Sequence, residues 1–148
     1  MAVEAYSFVA KPYTSRITLL IGGAEEELFD QFKQRRLPRH EALEFARFCK
    51  AEAKDFRAVT LISGHNSGRM FIYFPKAPDL TKAAHVDTIS HEVMHCVVAV
   101  MKRAQVRLTE ASEETFAYLM GQIMHDVWDR LTRRSRKPRP DWAIQPLG

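Results

Sequence analysis

The stretch 83–105 constrains the fold most. Val86, Ile89, Val93, Cys96, Val97 and Val100 recur at intervals of three and four, the spacing of one helix face. A helix with such a stripe must bury it against other elements. Yet its middle reads S-H-E-V-M-H-C-V-V over 90–98, placing His91, Glu92 and His95 among the apolar residues. Three titratable side chains in a core-seeking helix call for a reason.

The segments before it read as strands and helices in turn. R-I-T-L-L-I at 16–21 is β-branched and apolar and stops at Gly22-Gly23, the pattern of a strand. Positions 24–36 are acidic first and basic last, which suits a helix macrodipole, and Leu28, Phe29 and Phe32 fall at helical spacing. A second helix is expected over 40–54, on Leu43, Phe45, Ala46 and Phe48. Strands follow at 58–63 and 69–74 around the turn G-H-N-S-G, and Pro75 and Pro78 end the pairing. After the 83–105 helix, 108–112 reads as a connection, with Ser112 capping a last helix over 113–131. The expected class is α+β: a small antiparallel or mixed sheet of about three strands, packed on helices. One domain over 1–133 and a basic tail over 134–148 account for the chain.

Its 148 residues favour a single domain, and 46% apolar residues suffice for a core. The net charge of +4 arises late: from Arg130 to Arg139 the chain carries six basic residues and no acidic one, so the rest is slightly acidic. This stretch is a candidate contact for nucleic acid phosphates or a partner protein. Trp142 beyond it is a candidate docking residue. Cys49 and Cys96 are too few and too far apart for a disulfide scaffold, which points to a reducing, cytoplasmic setting. The start, M-A-V-E-A-Y-S-F, lacks the basic flank and apolar run of a signal peptide, and no apolar run approaches membrane-span length. No membrane partner is expected.

On a helix, residues i and i+4 share a face, so His91 and His95 can converge on one ion; the alternative is an amphipathic helix whose histidines face solvent. Imidazole nitrogens suit zinc. Glu92 points about 100° further round the axis, where it can reach a water in an open coordination position. A carboxylate so placed takes the proton of a water whose pKa the metal has lowered. A catalytic zinc usually has three protein ligands. If the last helix packs back on this one, Glu113 or Glu114 in its opening turn can supply the third. Asp87, one turn before His91, is a candidate outer partner for its ring N–H or an ordinary surface carboxylate. Tyr118, one turn after Glu114, is either a hydrogen-bond donor to a developing oxyanion or a packing residue. His125 is too far along the helix for the same ion, and His65 reads as a turn residue.

HExxH followed by a glutamate on the next helix resembles the gluzincin metallopeptidases. Glu114 and Gly121 match the Glu-to-Gly spacing of the thermolysin-like members, and Glu113-Glu114-Thr115-Phe116-Ala117 is similar to the Asn-Glu-Gly-Phe-Ala of the aminopeptidases. It departs from the latter at Glu113 and Thr115. The segment Glu114-Thr115-Phe116-Ala117-Tyr118-Leu119 also resembles one found in small phage-encoded HExxH proteins. The likeness covers 88–127. It implies a zincin-like fold with the metal between the two C-terminal helices, Zn2+ held by His91, His95 and Glu114, and Glu92 as general base. The function so implied is a minimal metallopeptidase acting on a peptide or protein substrate, in the host cytoplasm if phage-encoded. An extended substrate would add to a sheet edge, for which the strand 69–74 is the candidate; the ordinary alternative is a closed hairpin of that strand with 58–63. The alternative is a non-catalytic binding protein with a structural or vestigial zinc site, acting through its basic tail.

Overall fold

The computed structural model describes residues 2–65 and 68–135. The element order is β1 (Glu4–Val9), β2 (Arg16–Ile21), α1 (Glu25–Gln34), α2 (Arg39–Glu52), β3 (Val59–Ile62), β4 (Arg69–Phe74), α3 (Ala83–Arg103) and α4 (Glu113–Ser135). The class is α+β, with four helices and one mixed sheet of four strands in the order β1-β2-β4-β3. The outer pairs β1–β2 and β3–β4 are antiparallel and the central pair β2–β4 is parallel.

Alternation along the two central strands divides the core. Ile17, Leu19 and Ile21 of β2, with Met70, Ile72 and Phe74 of β4, face α3 and α4. Leu20 of β2, with Phe71 and Tyr73 of β4, faces Leu28 and Phe32 of α1 and Ala42, Ala46 and Cys49 of α2. A sheet buried on both faces needs apolar residues at consecutive positions, and R-I-T-L-L-I and R-M-F-I-Y-F supply them. The result is three layers, with a helix pair on each side.

Four expectations change. The sheet has a fourth strand, β1, which places Phe8 against the α3–α4 core while Ser7 stays exposed and bonds Thr18 at 2.8 Å. And β4 is not an edge: it lies between β2 and β3, closing a hairpin with the latter, so the free margin on that side belongs to β3. The last helix also runs on to Ser135, beyond the expected 131. Arg134, assigned above to the tail, lies within it and makes two 2.6 Å hydrogen bonds to the Glu4 carboxylate. Ser112 sits at the helix entrance: its carbonyl accepts the Phe116 N–H at 3.2 Å, while its hydroxyl accepts the Thr109 N–H. Arg136, Lys137, Arg139 and Trp142 lie outside the described residues. No helix among the described residues is long and apolar enough to cross a membrane.

Candidate metal centre

Helix α3 turns two faces to two environments. Ile89, Val93, Cys96, Val97 and Val100 enter the core. His91, Met94, His95 and Val98 are exposed. The i, i+4 spacing brings the imidazoles together: His91 Nε2 and His95 Nε2 lie 3.1 Å apart, with ring centroids 4.8 Å apart. With zinc–nitrogen bonds of 2.0–2.1 Å, two nitrogens 3.1 Å apart subtend about 100° at the ion. That is near the tetrahedral angle, so these two residues fit a zinc ion. At that distance one ring can donate its N–H to the other, the direction depending on the tautomer.

Glu92 sits apart from them. It is 7% exposed and faces β3, where the Thr60 hydroxyl lies 2.5 Å from its Oε2 and 3.2 Å from its backbone carbonyl oxygen. A shallow cleft of about 230 Å³ runs between β3 and α3, lined by Phe48, Val59, Thr60, Ile62, Glu92 and His95. A second hollow, holding Asp87, Thr88 and His91, opens on the other side of Glu92. The carboxylate therefore stands between two hollows, each bordered by one of the imidazoles. Burial behind Glu92 pushes the Cys96 thiol up to about 12, with the nearby Glu92 charge adding to the effect. That cysteine is an inert core residue.

The remaining sequence candidates lie on α4. Leu119, Ile123, Val127 and Leu131 form its buried ridge. Glu114 precedes Ile123 by nine residues, about two and a half turns, and so projects opposite to that ridge. Both Glu113 and Glu114 are exposed. Among the described residues no three or more His, Cys, Asp or Glu side chains are drawn together as a metal-binding group. Tyr118 is 63% exposed, and its hydroxyl accepts a 2.9 Å hydrogen bond from Gln122 Nε2. It lines a groove on the β1 side of the molecule with Phe8, Val9 and Lys11, whereas His95 and Glu92 border the β3 side.

The structure thus unites His91 with His95, seats Glu92 apart from them against Thr60 of the sheet, and leaves Glu114 and Tyr118 pointing elsewhere. Two residues of the cleft were not foreseen there: the sequence says nothing of Thr60 and reads Phe48 only as part of the apolar stripe of the second helix, whereas it is exposed in the cleft. Thr60 and Phe48 acquire their places only because β3 is the edge strand and α2 packs behind it. Comparison of the chain with family profiles, curated proteins and solved structures finds no match in any of the three.

Proposed function

We propose that the chain is a zinc-dependent hydrolase, a minimal metallopeptidase working in the cleft between β3 and α3. The observation that carries this reading is the 3.1 Å separation of the two Nε2 atoms beside a glutamate that borders an open cleft. His91 and His95 would hold the ion, and Glu114, the third ligand that the sequence pattern assigns, would have to turn toward them from the exposed face of α4. Zinc bound there lowers the pKa of water and polarises a carbonyl. The chain's own residues do the rest. The free margin of β3 offers its main-chain N–H and C=O groups to an extended peptide. Phe48 and Ile62, both exposed, flank that margin with apolar surface. Glu92 takes a proton from the attacking water and delivers it to the departing amine nitrogen. Thr60 fixes one oxygen of Glu92 by donating its hydroxyl hydrogen, which leaves the other for that transfer.

One observation favours a second reading. The Glu114 carboxylate projects away from the ridge that packs on the core, and a site with two protein ligands alone can be vestigial. In that case the chain is a binding protein, and the basic stretch from Arg130 to Arg139 meets its partner.

Zinc content and peptide hydrolysis, measured on the same preparations, separate the two. The hydrolase reading expects one zinc per wild-type chain at this site, lost in His95→Ala and weakened at least tenfold in Glu114→Ala. Glu113→Ala run in parallel tests the neighbouring carboxylate. Glu92→Gln is expected to keep the metal and lose hydrolysis by 10²-fold or more. Zinc that will not load onto wild type, or hydrolysis that survives Glu92→Gln, sinks the proposal.

A further inference from the structure

A second pair of histidines lies on the opposite side of the sheet, where α2 meets the turn between β3 and β4. Glu41, in the first turn of α2, is 5% exposed. One of its carboxylate oxygens accepts the Ser63 hydroxyl. The other accepts the Gly64 N–H at 3.1 Å and lies 2.7 Å from His65 Nδ1. Both oxygens already accept a hydrogen bond, so the His65 contact is one in which Nδ1–H donates to the carboxylate. In the neutral ring the lone pair is then on Nε2, directed away from Glu41 on a side chain that is 53% exposed.

Beside it stands His40, also exposed, one residue before Glu41. The rings of His40 and His65 lie 4.7 Å apart at 84°. The His91–His95 pair, whose Nε2 atoms are close enough for one ion, has a similar ring separation and interplanar angle, 4.8 Å and 77°. A carboxylate that accepts the far N–H of a histidine is the usual support of a metal-ligating imidazole, because it fixes the tautomer and the ring orientation.

We infer that His40 and His65 form a second cation site, taking a divalent transition metal such as Zn2+, Ni2+ or Cu2+, with Glu41 as the residue that positions His65. Water fills the other coordination positions. The ion ties the first turn of α2 to the turn that follows β3, the strand forming one wall of the His95 cleft. The site shares no ligand with the one on α3, so each can be lost without the other.

The test uses the full chain without an affinity tag. His91→Ala/His95→Ala removes the first pair, and Zn2+ and Ni2+ are titrated separately by calorimetry, with histidine ring NMR signals followed in parallel. One equivalent is expected to bind, shifting the His40 and His65 ring signals. Adding His40→Ala or His65→Ala should weaken that binding at least tenfold. His40→Ala leaves the Glu41 hydrogen bonds in place, so its metal-free melting temperature should match its parent. Glu41→Gln should weaken binding about tenfold, the lower end of what outer-sphere partners contribute. If the double variant binds neither metal, or if His40→Ala binds as tightly as its parent, the inference falls. Wild type that, in the same titration, binds only at His40 and His65 refutes the hydrolase reading and leaves this one standing; binding only at His91 and His95 does the reverse.

Discussion

Single side chains decide where this molecule is tied together and where chemistry is possible. Glu4 and Arg134 join the first strand to the last turn of the last helix through two hydrogen bonds. The hydrogen bond from Arg134 holds the Glu4 carboxyl below its ordinary range, against the opposing effect of burial, and Tyr6 assists. A carboxyl depressed in the folded state stabilises above its unfolded pKa, and that contribution disappears as pH falls through the folded value. Arg134→Ala should therefore cost about 0.5–1 kcal/mol at pH 7, in the range of partly exposed pairs. The gap to wild type should narrow below about pH 4; denaturant melts at pH 7 and pH 3 check this, and a gap that widens in acid contradicts it. The HExxH residues teach a related lesson about legibility. That His91 and His95 would meet follows from helical spacing, and they do. That Glu92 would be held by Thr60 does not, because the contact spans 32 positions and depends on which strand ends at the sheet margin.

At the scale of elements, periodicity was readable wherever burial was one-sided or continuous. The strand 69–74 and the start of the 83–105 helix stand where their apolar pattern puts them. β1 escaped because E-A-Y-S-F-V alternates with small and polar residues, and its pairing with β2 supplies what its own sequence does not. For α4 the sequence specifies a helix, but not its rotation against α3. That rotation decides whether Glu114 and Tyr118 face the imidazoles, and it is set by the buried ridge from Leu119 to Leu131. Gly121 lies in the exposed middle of α4, and a Cβ added there would meet nothing within 4 Å. Gly121→Ala should accordingly stabilise the protein by about 1 kcal/mol, the helix-propensity difference. An unchanged or lower stability by chemical denaturation would mean that something else occupies that face.

The whole molecule rests on two apolar clusters separated by one sheet, with a buried cysteine in each: Cys96 beside α4 and Cys49 beside α1. Burial lifts both thiols to about 12, so neither should react with a maleimide at neutral pH in the native state. β2 and β4 contribute side chains to both clusters, so neither half can lose its packing without disturbing the other. In rising urea the two cysteines should become reactive at the same midpoint, as one cooperative unit requires. Mass spectrometry of alkylated peptides reads this directly, and separate midpoints would show that the two layers unfold independently.

The brevity of β3 has a protective consequence. An unpaired strand margin is a template on which the same margin of a neighbouring molecule can pair. With only four residues on offer, such a pairing gains few main-chain bonds, and that shortness guards the protein against its own copies.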